Sequence, residues 1–388
     1  MVLIPLRKKR NKSLWKGGRG DSPRGGEMSA KQTEGTDPIR GNLSSERFAP
    51  IKSSGYSKSN SAGAPDFCGK QENGGLMAET IFRQTTIMLI LILVGVMCAK
   101  TKMISKETNK QLSVFVLQVV NPAVILMSYQ TEYRSELVEN LLLSFGLSFG
   151  AFVLMIICSY IFIRPKEGRE TEIDRFSAVY SNCGFMGIPL INAVFGMQGV
   201  FYLTAFITLF NVFAWTHGII MLSGKRDMKN VIKVFYSPTI IAIVLGMLSF
   251  FLRVKIPSVP AKAFGYIGDL NTPLAMIVSG VTIADTNVSA LLKKPSVYYV
   301  SFLRLLLFPL IVSSALAPFG IEEKVRMTIV IAAAAPPAAM CTLQSIRYGK
   351  NSLYSSEVFA FGTLLSAATL PLMVTSAEYL TKLIGRVC

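Results

Sequence analysis

The sequence is poor in charged residues and in histidine. Charged residues make up 16% of the 388 residues and hydrophobic residues 51%, whereas about a quarter of an ordinary soluble domain is charged. The single histidine, His217, excludes sites built from several histidines, such as those of haem or zinc enzymes. The six cysteines form no CxxC pair, which is typical of small apolar packing residues. We therefore expect a membrane protein with no metal and no cofactor.

Ten apolar runs follow one another along the chain. Each is long enough to cross a hydrocarbon core of roughly 30 Å. We therefore predict an all-α polytopic membrane protein with ten transmembrane helices. The runs lie at about 81–100, 112–130, 138–163, 176–196, 200–222, 235–252, 264–284, 297–317, 327–347 and 357–384.

Residues 1–76 differ from the rest of the chain. They are rich in Gly, Ser and basic residues, with 14 Lys and Arg against seven Asp and Glu. Such a segment buries too little apolar surface to offset its ordering entropy, so we expect a disordered basic extension. A basic arm on anionic lipid remains an alternative, and we expect no nucleic-acid partner. Because Met77 stands just before the first apolar run, the extension is also read as a start-site artefact.

The basic residues of the loops predict an orientation in the membrane. From Met77 onward, the loops after odd-numbered runs carry 16 Lys and Arg, and the other side carries nine. The positive-inside rule places the loops with 16 in the cytoplasm. We therefore predict a multi-pass protein of the plasma (cytoplasmic) membrane with both termini outside.

The chain divides into two halves in which similar sequence motifs recur. Residues 77–222 and 235–388 each hold five runs, and the predicted cytoplasmic loop 223–234 separates them. Asn121-Pro122 in the second run has a counterpart in Asn271 to Pro273 in the seventh. Since each half has an odd number of spans, the second half must be inverted in the membrane. This pattern predicts two inverted five-helix repeats.

Helix-breaking residues are concentrated in the fourth and ninth runs. The fourth holds Gly184, Gly187 and Pro189, and the ninth holds Pro336 and Pro337. Together with Pro122 and Pro273, these residues predict interruptions at matched positions of the two halves. Unwound backbone in a membrane is stable only beside protein, water or ligand. The half-helix ends also carry partial charges, so we predict a midplane site for a small solute.

Three stretches resemble the auxin efflux carrier family, in particular its bacterial permease-type members. They are "NCGFMGIPLINAVFGMQG" (182–199), "FNVFAWTHG" (210–218) and "RLLLFP" (304–309). The resemblance runs from about residue 77 to the C-terminus. It implies scaffold and transport helices in each repeat, with the fourth and ninth spans broken at a crossover that binds a carboxylate.

The resemblance also implies roles for single residues. Asn182 matches the family's asparagine of the fourth span, Asn211 matches a polar position of the fifth span, and Pro336 matches the crossover proline of the ninth. Two departures are present, because Ser181 stands where plant members have proline and Pro337 where they have a polar residue. Auxin itself is therefore not the expected substrate.

Several of the candidate residues have alternative roles. Asn182 either caps the half-helix that follows it or contacts the ligand, and Asn211 either contacts the substrate or bonds to another helix. Arg304, an intramembrane charge, snorkels to the interface, pairs with a helix C-terminus or with Asp269 or Asp285, or attracts the substrate. His217 is expected to be a packed, hydrogen-bonded residue rather than a proton relay. The substrate-binding candidates are Asn121, Ser181, Asn182, Asn211, Asn271, Pro336, Pro337, Thr342 and Gln344.

The sequence thus predicts a secondary transporter, a permease or efflux carrier, that moves a small organic anion by alternating access. The alternatives are a membrane-embedded sensor or receptor, and a cation-coupled symporter of another substrate class. An enzyme is not expected, because the spans show no buried acidic pair and no second histidine. The expected partners are the small organic anion, the lipid bilayer and a second copy of the chain bound through the scaffold helices.

Overall fold

The computed structural model describes residues 74–224, 236–284, 286 and 294–384. The predicted extension lies outside these ranges except for 74–76, and so do Asp285 and most of the predicted loop 223–234. The described residues form helices and loops with no β-strand, apart from one isolated backbone bridge. The prediction of an all-α protein is therefore confirmed for this part of the chain.

We number eleven helices in chain order. Long apolar runs form most of them, and serine caps begin two: Ser105 accepts from Thr108 N at 3.1 Å and Ser237 from Ile240 N at 3.3 Å. The helices are α1 Gly74–Lys100, α2 Lys106–Ser128, α3 Ser135–Phe162, α4 Thr171–Val179, α5 Cys183–Ser223, α6 Pro238–Phe251, α7 Ser258–Ala284, α8 Pro295–Leu316, α9 Glu323–Ala334, α10 Met340–Arg347 and α11 Ser352–Ile384.

Seven of the described helices are long and apolar enough to cross a membrane: α1, α2, α3, α5, α7, α8 and α11. The other predicted spans differ in form. The run at 235–252 is the 14-residue helix α6, and the run at 327–347 is split between α9 and α10. The fourth run begins in α4 and, after the interruption, continues into α5, which also contains the fifth run and has a kink at Gly196. With a φ of 61°, Gly196 has a left-handed conformation that favours glycine.

Three of the long helices contain a π-helical turn just before a proline. The turns are Val116–Val120, Cys183–Gly187 and Leu303–Leu307, and the prolines are Pro122, Pro189 and Pro309. Proline has no N–H to donate, so the helix widens by one residue instead of breaking. Pro122 and Pro189, together with Gly184 and Gly187, therefore lie within continuous helix. Pro273 stands just after Leu270, where α7 leaves its regular helical hydrogen bonding.

Glycines allow one very close helix crossing. Helix α1 packs along the second half of α7, and there the backbones meet at Gly95 and Gly280. A Cβ on Gly280 would overlap the carbonyl oxygen of Ile92 and would lie 3.0 Å from Cα of Gly95. Close approach through small residues is the usual means by which helices associate in membranes.

Candidate transport site

Two interrupted helices cross at Ser181 and Pro337. After α4 and again after α9 the chain is extended for a few residues, and the two extended segments run antiparallel. Asn182 N donates to Pro336 O at 2.7 Å, and Ala338 N donates to Tyr180 O at 3.0 Å. The interruptions therefore satisfy part of each other's backbone hydrogen bonding, as buried backbone requires.

Arg304 stabilises the half-helix ends that reach this crossing. Its side chain is fully buried in the π-helical turn of α8. Nη1 donates to Ala178 O and Val179 O at 3.1 and 3.0 Å, at the end of α4. Nη2 donates to Ala333 O at 2.8 Å and Nε to Ala335 O at 2.9 Å, at the end of α9. One guanidinium thus offsets the negative ends of two helix dipoles, and of the alternatives for Arg304, pairing with helix C-termini is the one observed.

The half-helix N-termini at the crossing remain without such compensation. Helix α5 starts at Cys183 and α10 at Met340, and in the described structure neither start has a side-chain cap. Asn182, the residue before α5, therefore does not cap it. Its Nδ2 and the Ser181 hydroxyl are buried without a hydrogen-bond partner among the described residues. Unpaired donors beside two positive helix ends form a local environment that favours a negative charge.

Asn121 and Asn271 form a polar pair next to the crossing. Asn271 Nδ2 donates to Asn121 Oδ1 at 2.6 Å, and both residues are buried. The amide nitrogen of Asn121 lies against Gly184, where a Cβ would be 3.2 Å away. The structure therefore joins the matched asparagines of the two halves and brings one of them to the first turn of α5.

The remaining predicted site residues differ in whether their side chains have hydrogen-bond partners. Gln344 is buried in α10, and its Oε1 has no partner within the described ranges. Thr342 instead shares a hydrogen bond of 3.2 Å with Ser355, and Asn211 Nδ2 donates to Ile207 O in its own helix at 2.8 Å. Asn211 thus makes the backbone bond of an ordinary helical asparagine. With Ser181, Asn182 and Gln344 all buried, the crossing is closed to solvent in this conformation.

Two fully buried carboxylates, Asp174 and Glu357, lie near the N-termini of α4 and α11. Asp174 accepts from Arg169 Nε and from the Tyr354 hydroxyl, each at 2.6 Å. Glu357 accepts from Lys294 Nζ at 2.5 Å, and its Oε1 has no partner in the described chain. The sequence does not indicate that they are buried, because both acids border the apolar runs, where a charge is usually interfacial. Glu357 and Lys294 are 63 positions apart and Asp174 and Tyr354 are 180 apart, whereas Arg169 stands five positions before Asp174.

The Lys294–Glu357 pair gives an asymmetric prediction. Lys294→Gln is expected to lower the free energy of unfolding by about 3 kcal/mol, because it leaves a buried carboxylate without a counter-charge. Glu357→Gln should cost less than about 1 kcal/mol, because Lys294 is 37% exposed and can turn to water. Thermal unfolding in detergent measures both, and the double variant should resemble Glu357→Gln. Equal losses in the two single variants would contradict a buried charge as the cause.

Crossed, interrupted helices in an all-helical membrane protein are typical of membrane transporters. Residues 80–374 match the Membrane transport protein family, and the chain belongs to that family. The match confirms the family resemblance that the motifs predicted.

Two relatives show the same relationship over most of their length. The chain is 26% identical to an "Uncharacterized transporter" of Methanothermobacter thermautotrophicus over 299 residues, which are 74% of this chain and 94% of the relative. It is 22% identical to "Uncharacterized transporter YfdV" of Escherichia coli K12 over 311 residues, 77% of this chain and 96% of the relative. The chain is therefore a multi-pass membrane transport protein.

Proposed function

We propose that this transporter moves a small organic anion, such as a carboxylate, by alternating access at the crossing of the two interrupted helices. The observation that carries the proposal is that the helix C-termini at the crossing are compensated by a charge whereas the helix N-termini are not. Arg304 compensates the two C-termini. The two N-termini keep their positive potential next to the unpaired amide of Asn182. An anion would complete this arrangement.

The small set of hydrogen-bond donors at the crossing supports a small substrate. The donors available at the crossing are the Asn182 amide, the Ser181 hydroxyl and the N-terminal N–H groups of α5 and α10. All of them stand at one crossing of two extended segments. Such a set matches one carboxylate group, while the closed surroundings require a conformational change before a ligand enters.

Helix packing supports two inverted repeats with ten spans. Helix α1 packs on α7, and α2 packs on α6. In a chain of ten spans these are the contacts of the first span with the seventh and of the second with the sixth. Exchange of the two halves converts one contact into the other, as a two-fold pseudosymmetry requires.

Matched side-chain contacts support the same symmetry. Tyr354 donates to Asp174, at the start of α4, whereas Tyr202 donates to Glu322, just before α9, at 3.4 Å. Each contact thus joins a tyrosine to the N-terminal end of the other half's interrupted helix. The tyrosines are about 150 positions apart, close to the 150 positions between Asn121 and Asn271.

A panel of carboxylates tests the proposal. Purified protein is screened for a ligand that raises its thermal unfolding temperature, because a ligand that binds the native state stabilises it by mass action. Ligands that score are then assayed for uptake into proteoliposomes. Cations and neutral solutes in the same panel test the symporter alternative. Binding without any uptake would favour the sensor or receptor.

Asn182→Ala is expected to lower carboxylate uptake by at least about tenfold, because an unpaired donor in a closed site contributes roughly 1.5–3 kcal/mol to binding a charged group. The matched control is Asn109→Ala. Asn109 is also a buried asparagine, but its amide donates to the Thr282 hydroxyl over 3.0 Å and not to a residue of the crossing. Both variants should unfold near the wild-type temperature. Unchanged uptake by Asn182→Ala would refute the crossing as the anion site.

A further inference from the structure

The only histidine of the chain is linked to the crossing by hydrogen bonds. His217 lies in the π-helical turn Ala214–Gly218 of α5. Its Nδ1 is 2.9 Å from the Tyr180 hydroxyl, and its Nε2 is 3.3 Å from the Tyr160 hydroxyl. Tyr180 is the first residue of the extended segment after α4, and its carbonyl accepts from Ala338 N across the crossing. A single side chain thus connects the histidine to the interrupted backbone.

The hydrogen bonds define the protonation of the neutral ring. The Tyr180 hydroxyl donates to Phe213 O at 2.9 Å, so toward His217 its oxygen can only accept. Nδ1 therefore carries the ring proton, and Nε2 accepts from Tyr160. A second proton on Nε2 needs only a rotation of the Tyr160 hydroxyl, whose residue is 46% exposed. The ring can thus gain a proton from solvent without losing either partner.

The charged surroundings of His217 are simple. Arg175 on α4 lies over the Tyr160 ring, with its guanidinium carbon 4.1 Å from the ring centroid, and donates to Ile163 O. Helix α10, which packs near the end of α5, carries one charged residue, Arg347. Tyr160 and Tyr180 are the titratable groups in contact with the ring. No carboxylate among the described residues hydrogen-bonds to the histidine. The positive charge of a protonated ring would therefore be stabilised by hydrogen bonds to the two hydroxyls.

We propose that His217 is a proton-binding site that controls the rigidity of the crossing through Tyr180. Protonation makes the Nδ1–H···Tyr180 bond charge-assisted, and such bonds are about twice as strong as neutral ones. The tighter bond holds Tyr180, and with it the bonds of Asn182 and Ala338. Histidine is the side chain whose unperturbed charge change lies between about pH 5 and 8. Its effect on transport rests on the function proposed above, whereas its effect on the backbone does not.

The lone histidine makes the titration directly observable. Protein purified without added histidines and labelled in the histidine ring gives one imidazole signal by NMR, followed from pH 5 to 8. Hydrogen exchange of the Asn182 and Ala338 amides is measured in parallel and corrected for intrinsic rates. We expect both amides to become about three- to tenfold more protected as the ring gains its proton, with one shared midpoint.

Three variants make the test specific. His217→Gln should abolish the pH dependence of protection. In Tyr180→Phe the ring should still titrate, but the protection of the two amides should no longer depend on pH. Tyr129→Phe, which removes the hydroxyl of another buried tyrosine bonded to Thr204, should leave the coupling intact. A ring that does not titrate, or coupling that survives in Tyr180→Phe, overturns the inference. Coupled amides in a protein that transports no carboxylate would uphold it and refute only the proposed substrate.

Discussion

Arg304→Met is expected to have the largest effect of any single side-chain replacement considered for this chain. The variant leaves four carbonyl groups at the ends of α4 and α9 buried without a donor. It also removes the one positive charge that offsets the two negative helix ends. We expect a loss of about 3–5 kcal/mol in the free energy of unfolding, measured by thermal unfolding and by gel filtration in detergent.

Arg304→Lys distinguishes charge from geometry. Lysine keeps the charge but presents its donors from one nitrogen, so it reaches fewer of the carbonyls that a planar guanidinium joins. We expect an intermediate loss, with the two half-helices held less firmly. The control is Arg83→Lys, an exposed arginine near the start of α1, which should unfold as the wild type does. Wild-type stability of Arg304→Met would show that the guanidinium does not stabilise the crossing.

Gly280→Val is expected to disrupt the contact between α1 and α7. The first carbon of the new side chain would overlap the Ile92 carbonyl, which belongs to the backbone and cannot rotate away. The helices must separate along their contact, so we expect a loss of at least about 3 kcal/mol, at the upper end of overpacking effects. Gly95→Val should act alike from the other helix, because its Cβ would overlap the Ile277 carbonyl. Thermal unfolding and chymotrypsin susceptibility measure the change.

Gly150→Val is the matched control. Gly150 also lies in a membrane-spanning helix, but a Cβ there meets no atom within 4 Å. The same substitution should therefore change the unfolding temperature by only a few degrees. Similar losses at Gly150 and Gly280 would assign the effect to helix propensity rather than to the crossing of two backbones.

Much of the fold could be predicted from the sequence because a membrane imposes strong local rules. Apolar length predicted most of the helices, and the recurrence of Asn-Pro pointed to Asn121 and Asn271. The structure places these two side chains in contact at 2.6 Å. Such a recurrence along the chain can be recognised without any knowledge of packing.

The helix break does not coincide with the strongest helix breaker. Pro189 is the strongest helix breaker near the crossing, yet the interruption stands at Ser181 and Asn182. The reason is that a helix accommodates a proline by widening one turn, as at Cys183–Gly187. Extended backbone needs a partner that replaces its lost hydrogen bonds, and Pro336 and Ala338 supply it from the other half. That partner is invisible to local composition.

The charges were predicted least well. Arg304 was recognised as an intramembrane charge, but the sequence left its partner open, because backbone carbonyls have no signature in the sequence. Asp174 and Glu357 were missed, since each stands at the edge of an apolar run and each bonds to a residue far along the chain, Tyr354 for Asp174 and Lys294 for Glu357. The role of a charged side chain cannot be predicted from its position in the sequence when that role depends on tertiary contacts.

The antiparallel contact between Ser181 and Pro337 also has a consequence for biogenesis. The first interrupted helix emerges from the ribosome about 155 residues before the segment that completes it. At cellular rates of synthesis this interval is on the order of 10 s. Throughout it, the unpaired backbone of residues 180–182 must be sheltered by water, by the insertion machinery or by neighbouring helices. The crossing can therefore form only near the end of translation, and a truncation before α9 would leave the first interrupted helix without its partner.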